Sequence, residues 1–303
     1  MGAGLSKVAT IGFFDGVHLG HRHIIDDVLA VARESMMESM VITFSRHPRL
    51  VVGSSFVPEL LNTTDEKISL IKKAGIDHCV VLDFDSEMAK MTARDFMKTI
   101  LRDKYGVGKL VIGYDNRFGH NRQEGFDDYQ AYGKELGIEV IQCNELTEDG
   151  RHVSSSVIRK KIAAGDIEEA NSLLGYEYRL SGIVTEGTHV GRSLGFPTAN
   201  LNPAAIGKLI PACGVYATIV ETSDGERHAS MTNIGCRPTF GGKTTTIETN
   251  IFDFSRDIYG ETIIVEFIKR IRTEQRFNSE QQLEQQLKND KEKILETIKH
   301  RKI

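Results

Sequence analysis

The chain has 303 residues, a formal net charge of −4 at pH 7 and 40% hydrophobic residues. This length is sufficient for about two domains, and the apolar share is typical of a folded globular protein. The negative net charge excludes a protein that holds nucleic acid by a broad basic surface, so we expect no nucleic-acid partner. No apolar run approaches the roughly 18 residues of a membrane helix, so we expect no membrane-spanning segment and no membrane partner.

The N-terminus and the cysteines indicate a compartment. The first residues, MGAGLSKVATIGFF, lack a long apolar signal core and a small-residue cleavage site, which predicts a cytoplasmic protein. The four cysteines are scattered and include no CxxC pair. We therefore expect neither a disulfide framework nor a cysteine zinc site. The sequence leaves the oligomeric state open, and a homo-oligomer is one option.

Residues 1–155 alternate between strand-like and helix-like segments. The predicted strands are Val8–Phe14, Met40–Phe44, Cys79–Leu82, Lys109–Gly113 and Ile138–Gln142, and the predicted helices are His23–Arg33, Glu66–Lys73, Ala93–Lys104 and Asp128–Leu136. This alternation predicts an α/β, Rossmann-like, doubly wound parallel sheet. Ligands of such sheets bind beyond the carboxyl ends of the strands, at the point where the strand order reverses.

The second half of the chain has a different pattern. Two short helices, each followed by a glycine, are predicted for a connector at residues 156–177. In residues 178–303 short strands alternate with glycine turns, and Asp224-Gly225 between two strand-like runs predicts a hairpin. This pattern predicts an all-β barrel or sandwich, followed by an amphipathic helix over Ser279–Lys299.

The sharpest local motif is GFFDGVHLGH at residues 12–21, which follows a strand and opens a helix. A helix N-terminus presents unpaired N–H groups and the positive end of the helix dipole, so it can bind phosphate. His18 and His21 are three residues apart, and both can stabilise charge that develops on an α-phosphate during in-line attack. Gly20 leaves room for a nucleotide near the backbone. The alternatives are ordinary surface or capping histidines, or a zinc site that lacks a third ligand nearby in sequence.

Two later segments carry groups that suit a nucleotide. Residues 113–119 read GYDNRFG, and residues 154–159 read SSSVIR. Hydroxyls at a helix start, with a guanidinium one turn later, suit a leaving pyrophosphate. Taken alone, the three serines could equally be a helix cap.

These motifs resemble those of FAD synthetases of the bacterial bifunctional type, within the H-x-G-H nucleotidyltransferase superfamily. The resemblance implies that His18 and His21 are catalytic. It implies that ATP and its phosphates are bound by Gly12, Phe13, Asp15, Gly20, Asp115, Ser154, Ser155, Ser156 and Arg159. Flavin-pocket roles are implied for Phe118 and for His47 of TFSRHP, although a plain loop is the alternative for the latter segment. Asn116 and Ser156 depart from the family, which has phenylalanine and threonine there.

The longest specific motif is TEGTHVGRSLGFPTAN at residues 185–200. Gly187 and Gly191 predict a loop whose N–H groups can wrap phosphate. Thr198 and Asn200 are two residues apart, so in an extended segment both side chains lie on one side. Their oxygens, with ATP phosphates and water, could bind Mg²⁺. In isolation, PTAN would be a turn into a strand.

This segment closely resembles the riboflavin kinase signature, and further matches follow it in order. The resemblance implies that Glu248 is the general base on the ribityl 5′-hydroxyl. It implies phosphate contacts from Gly187, Gly191 and Arg192, Mg²⁺ ligands in Thr198 and Asn200, and flavin contacts from Phe254 and Arg272. Asn250 stands where the family usually has histidine, which leaves the strength of the kinase activity open.

The resemblances cover about residues 7–290 and together imply a two-reaction enzyme. The C-terminal domain, residues 178–303, would phosphorylate riboflavin to FMN, and the N-terminal domain, residues 1–155, would adenylylate FMN to FAD with release of pyrophosphate. ATP is the implied co-substrate and Mg²⁺ the implied metal of both reactions. Three alternatives stay open: a monofunctional FAD synthetase with a weak or inactive kinase domain, a non-catalytic flavin sensor, and adenylyl transfer to nicotinamide mononucleotide.

Overall fold

The computed structural model of the chain describes residues 4–47, 59–114, 116–120, 123–144, 147–148, 151–187, 191, 195–239, 242–301 and 303. The chain divides into two compact units, Met1–Ser155 and Ser156–Ile303. None of the helices in the described parts of the chain is both long and apolar enough to cross a membrane.

The N-terminal unit is built on a parallel sheet. Its elements are β1 (Lys7–Ile11), α1 (Leu19–Ser35), β2 (Glu38–Phe44), α2 (Thr64–Lys73), β3 (His78–Leu82), α3 (Ser86–Lys90), α4 (Ala93–Phe96), β4 (Val107–Gly113), α5 (Phe126–Leu136), β5 (Glu139–Cys143) and the short pair β6 (Thr147–Glu148) and β7 (Arg151–His152). The strand order β3-β2-β1-β4-β5, with all neighbours parallel, confirms the predicted doubly wound sheet.

Local sequence explains the ends and faces of these helices. In α1 the buried residues Ile25, Val28 and Ala32 follow helical spacing, so one face packs on the sheet. A capping box between Thr63 and Glu66 starts α2, because each side chain bonds the backbone N–H of the other residue. The predicted helix over residues 93–104 is present as α4 followed directly by a π-helical segment, Met97–Lys104. The apolar spacing of the sequence does not reveal that the helix changes from α to π geometry.

The C-terminal unit is a closed barrel with helices before and after it. Its elements are α6 (Ser155–Ala164), α7 (Ile167–Leu174), β8 (Arg179–Thr185), β9 (Ala199–Leu201), α8 (Pro203–Ile206), β10 (Gly214–Glu221), β11 (Arg227–Thr239), β12 (Gly242–Ile251), β13 (Thr262–Arg272) and α9 (Glu280–Ile298). Six strands close in the order β10-β11-β12-β9-β8-β13, so the barrel rather than the sandwich is present.

Turn chemistry and a terminal helix complete this barrel. The predicted hairpin joins β10 to β11, with Glu221 paired to Arg227 and Gly225 at a φ of 84°. The helix α9 begins after Ser279, whose side chain accepts a hydrogen bond from a backbone N–H of the first turn. Ile294 and Ile298 of α9 are buried in one hydrophobic cluster with residues of β10, β11 and β13, which fixes the helix against the barrel.

One cysteine prediction is wrong. Cys213, directly before β10, forms a disulfide with Cys236 of β11, and their Cα atoms are 5.9 Å apart. The two residues are 23 positions apart and belong to no spacing motif, so only the antiparallel pairing of β10 with β11 brings them together. The other two cysteines, Cys79 and Cys143, are free.

Candidate active sites

The turn at residues 12–21 lies where the order of the parallel sheet reverses. β1 pairs with β2 on one side and with β4 on the other, so its carboxyl end is the topological switch point. Within the turn, Phe14, Gly16 and Val17 have φ values of 53°, 85° and 37°. A positive φ is unfavourable for a side-chain-bearing residue and is concentrated at ligand sites. The strained turn therefore supports a binding role for this edge.

The two histidines of the turn are stacked on each other. His18 is the N-cap of α1, and its Nδ1 accepts a hydrogen bond of 3.3 Å from the His21 backbone N–H. The ring centroids are 3.7 Å apart with an angle of 18° between planes. His18 therefore caps α1, and the same contact holds the His21 ring beside it.

His21 combines a low pKa with a polar atom that lacks a protein partner. Burial, reinforced by the neighbouring His18 and Lys67, holds the pKa of His21 well below its usual value. The ring is therefore neutral at pH 7 and keeps one N–H donor. Its Nδ1 is buried and makes no hydrogen bond within the described residues. Such an atom is unfavourable unless a ligand satisfies it, which is consistent with a phosphate site.

Glycine at position 20 has a local packing reason. A Cβ atom there would lie 3.2 Å from the His18 ring and 3.2 Å from the carbonyl oxygen of Val153. At Gly12 a Cβ atom would lie 3.0 Å from the Phe14 ring. Both glycines therefore let the turn pack closely, in addition to the nucleotide approach that the sequence predicts for Gly20.

Asp15 holds the turn through the protein backbone. Its buried carboxylate accepts hydrogen bonds from the backbone N–H of Leu61, at 2.9 Å, and of Asn62, at 3.3 Å. Its carbonyl oxygen accepts a hydrogen bond of 2.8 Å from the Ser155 hydroxyl. Asp15 and Ser155, both predicted to contact phosphates, thus connect the turn to the start of α2 and to the start of α6.

The sequence did not single out Lys67, a buried lysine of α2 that lies beside the turn. Its Nζ donates to the carbonyl oxygens of Phe13, at 3.1 Å, and Phe44, at 2.8 Å, and lies 4.1 Å from the Phe13 ring centroid. Burial lowers the pKa of Lys67 to about 8, against the opposing effect of Asp15. The only available signal was its helical spacing with Leu70, which places a lysine on the buried face.

The predicted flavin-pocket residues of this unit have aromatic neighbours. The ring of His47 packs edge-on against Phe13, with centroids 4.6 Å apart. Phe118 stacks on the buried Tyr129 at 4.4 Å, and that tyrosine also bonds the Phe118 backbone. Asn116, which departs from the family pattern, donates a hydrogen bond of 2.6 Å to the carbonyl oxygen of Ile11. This bond holds the loop of Asn116 against the end of β1.

Three more predicted phosphate residues lie at the start of α6. Ser154 directly precedes α6, and Ser156 and Arg159 lie on it, with Ser156 exposed and Arg159 half-buried. Asp115 and Arg192 lie outside the residues that the structure describes.

The barrel has two neighbouring cavities, and Thr198 lines both of them. One has a volume of about 330 Å³ and is lined by Glu248, Asn250, Arg272 and the α9 residues Leu283 and Leu287, among others. The other, of about 340 Å³, is lined by Val184, Pro197, Ile251, Phe254 and Arg256, among others. Phosphoryl transfer requires two bound substrates that meet at one point, and this arrangement provides such a point.

Strand register places the predicted base next to the predicted metal ligands. Glu248 of β12 lies directly opposite Asn200 of β9 and opposite Asn233 of β11. The segment with Asn200 is extended, as the motif required, and the Asn200 side-chain nitrogen donates 3.3 Å to the Thr198 carbonyl oxygen. A Cβ atom at Gly187 would overlap the Asn200 amide, so glycine there lets the loop lie against this side chain.

Asn250 holds the segment that leads into Thr198. The side chain is 6% exposed, and its Nδ2 donates a hydrogen bond of 2.6 Å to the carbonyl oxygen of Pro197. It therefore anchors the residue before Thr198.

Arg272 and Phe254, both predicted to bind the flavin, line different cavities. Arg272 is held by Asp290 of α9, which is fully buried. The Asp290 carboxylate accepts a hydrogen bond of 2.8 Å from the Arg272 Nε. Gln286 donates 2.8 Å to the other oxygen of Asp290. Phe254 instead packs against His228, with centroids 5.0 Å apart.

Comparison with known proteins gives a family match for each half of the chain. A family model described as FAD synthetase matches residues 4–157, and one described as riboflavin kinase matches residues 174–298. The bifunctional riboflavin kinase/FMN adenylyltransferase of Haemophilus influenzae is 37% identical over 93% of this chain and 91% of its own. The protein of the same name from Bacillus subtilis is 36% identical over 95% of this chain and 92% of its own.

A solved structure shares the whole architecture. The crystal structure of a macrolide-efflux protein from Streptococcus pneumoniae matches with a TM-score of 0.87 and 33% sequence identity. The match covers 95% of this chain and 93% of that one, so both units have a counterpart.

Proposed function

The chain belongs to the family of bifunctional riboflavin kinase/FMN adenylyltransferases, and from this membership we propose how its residues divide the two reactions. The enzyme phosphorylates riboflavin to FMN and adenylylates FMN to FAD, with ATP as co-substrate in both steps. We assign the adenylyl transfer to the turn at the end of β1 and the phosphoryl transfer to the two barrel cavities. The observation that best supports the assignment of phosphoryl transfer is that Thr198 lines both cavities.

In adenylyl transfer, an FMN phosphate oxygen attacks the α-phosphorus of ATP, and the bond to pyrophosphate breaks. We propose that the His21 N–H donates to the α-phosphate oxygen, where negative charge grows in the transition state. His18 holds that ring by stacking and by its hydrogen bond to the His21 backbone. Lys67 adds a buried positive charge beside the turn. Ser154, Ser156 and Arg159 are proposed to hold the leaving pyrophosphate.

In phosphoryl transfer, the ribityl 5′-oxygen of riboflavin attacks the γ-phosphorus, and ADP leaves. We propose that Glu248 accepts the hydroxyl proton, which places the flavin in the cavity that Glu248 lines. The apolar wall of that cavity, from Leu283 and Leu287, suits a flat aromatic ring. ATP then takes the neighbouring cavity, so Phe254 is reassigned from the flavin to the nucleotide.

The donor set of the barrel fits Mg²⁺. Thr198 and Asn200 offer a hydroxyl and an amide oxygen, and Glu248 lies opposite Asn200 in the sheet. Mg²⁺ prefers a few hard oxygens together with phosphates and water. We propose that Thr198 and Asn200 hold it, where it would neutralise charge on the ATP phosphates. Chelation with EDTA should stop both reactions, and added Mg²⁺ should restore them.

The monofunctional alternative is not favoured, because the riboflavin kinase model matches the barrel and because Asn250, which left the strength of the kinase activity open, anchors Pro197 beside Thr198. The sensor alternative is likewise not favoured.

One assay tests the full proposal. The purified chain receives riboflavin, ATP and Mg²⁺, and chromatography resolves the flavins. We expect FMN to appear first and FAD to follow. Formation of FAD from supplied FMN without formation of FMN from riboflavin would contradict the kinase assignment. Absence of both products in folded protein would contradict both assignments.

A further inference from the structure

A cluster of metal-binding side chains lies outside both proposed active sites. His23, Asp27 and Cys143 each place one ligand atom, nitrogen, oxygen or sulfur, within 4.8 Å of the other two. Cys143 is 2% exposed, whereas His23 and Asp27 are half-buried and open the cluster to solvent. None of the three has a part in the reactions assigned above.

The fold of the N-terminal unit explains how these residues meet. His23 and Asp27 are four residues apart on α1, so both side chains lie on one face of the helix. Cys143 is the last residue of β5 and pairs in register with Gly113 of β4. A Cβ atom at Gly113 would lie 3.0 Å from the Ile24 side chain, so glycine there lets α1 lie close to these strand ends.

The thiol and the carboxylate are already in contact. The Cys143 thiol forms a hydrogen bond with the Asp27 carboxylate. The Sγ also lies 3.4 Å from the carbonyl oxygen of Asn144. A thiol on β5 and a carboxylate on α1 are therefore already held next to each other.

We propose that His23, Asp27 and Cys143 form a binding site for a thiophilic divalent cation of the Zn²⁺ class. Imidazole, carboxylate and thiolate together favour Zn²⁺ or Co²⁺ and disfavour the oxygen-seeking Mg²⁺ and Ca²⁺. Three protein ligands leave a fourth tetrahedral position for water. On binding, the cation forms a bond to the Cys143 sulfur, and the thiol proton leaves to solvent.

Cobalt titration of the full-length chain tests this site directly. Co²⁺ bound to a thiolate gives a charge-transfer band in the near ultraviolet, whereas Co²⁺ bound at an oxygen site does not. We expect this band to saturate at one equivalent of Co²⁺ and to be displaced by Zn²⁺ but not by excess Mg²⁺. Cys213 and Cys236 are joined in a disulfide, so they offer no competing thiolate.

The other free cysteine provides the matched control. Cys143→Ser should abolish the charge-transfer band, and Cys79→Ser should keep it. No band in the wild-type chain, or an equal band in Cys143→Ser, would overturn the proposal.

Two further variants keep the test decisive if Cys143→Ser folds poorly. His23→Gln and Asp27→Asn should each weaken Co²⁺ binding about tenfold or more, while formation of FAD from FMN reports that the variants are folded. Wild-type Co²⁺ affinity in both folded variants would also overturn the site.

Discussion

Two side chains, His21 and Glu248, should separate the two activities at the scale of single residues. His21→Ala removes a donor to the α-phosphate, so we expect FAD formation from FMN to fall about 10²- to 10³-fold. Glu248→Gln removes the base, and we expect FMN formation from riboflavin to fall about 10²- to 10⁴-fold. Steady-state rates of each half-reaction measure both effects.

Each variant is the control for the other, because the unaffected reaction reports that the protein is folded. We expect His21→Ala to retain FMN formation and Glu248→Gln to retain FAD formation. Loss of both reactions in either folded variant would show that the two sites are not independent.

Lys67 gives adenylyl transfer a pH dependence. Its pKa of about 8 means that the ammonium is charged below pH 8 and becomes neutral above it. The buried positive charge beside the turn should favour the growing negative charge on ATP. We therefore expect kcat/KM for ATP in FAD formation to fall roughly three- to tenfold between pH 7 and pH 9.

Lys67→Met separates this effect from other ionisations. The variant should be slower at pH 7 and should lose the decline above pH 8. A decline of the same size in Lys67→Met would assign the ionisation to another group.

At the scale of elements, α9 acts as a wall of the flavin cavity and as the holder of Arg272. Asp290 is fully buried, and its contact with the Arg272 Nε fixes the guanidinium at the cavity. Asp290→Asn keeps the volume of the side chain but removes its negative charge. The Arg272 side chain should therefore lose its fixed position. We expect KM for riboflavin to rise about tenfold, a change of roughly 1.4 kcal/mol, with a smaller change in kcat.

The exposed Glu292 of the same helix is the matched control. Glu292→Gln should leave KM for riboflavin unchanged, and FAD formation from FMN should be normal in both variants. A normal KM in folded Asp290→Asn would show that Arg272 does not depend on α9.

The predicted elements agree with the structure where the signal is local. The parallel strands, the hairpin at Asp224-Gly225 and the final helix follow from apolar spacing and turn residues. The roles of Lys67 and Asp290 could not be predicted, because each depends on contacts with distant elements. Asn250 shows the same limit: its departure from the family left the strength of the kinase activity open, and only the structure reveals its hydrogen bond to the Pro197 carbonyl oxygen.

At the scale of the whole molecule, the two units should differ in their response to reductant. The Cys213–Cys236 disulfide closes a loop between residues 23 positions apart in the C-terminal unit. By chain entropy, such a cross-link contributes roughly 3 kcal/mol to the free energy of unfolding. We expect the Cys213→Ser/Cys236→Ser double variant to lower the denaturation midpoint of kinase activity and to spare that of adenylyl transfer.

Dithiothreitol should reproduce this loss in the wild-type chain and should have no added effect in the double variant. Cys79→Ser, which alters a free cysteine of the N-terminal unit, should behave as wild type. Equal kinase midpoints with and without the disulfide would contradict the prediction.

The shared position of Thr198 has a consequence for how the kinase responds to its substrates. A residue that borders two binding cavities provides a route for coupling between their occupants, and any such coupling is reciprocal in free energy. Whatever factor ATP imposes on the dissociation constant of riboflavin, riboflavin must impose on that of ATP. The riboflavin concentration that the first reaction needs would then depend on the ATP concentration, and the ATP concentration that it needs would depend on riboflavin.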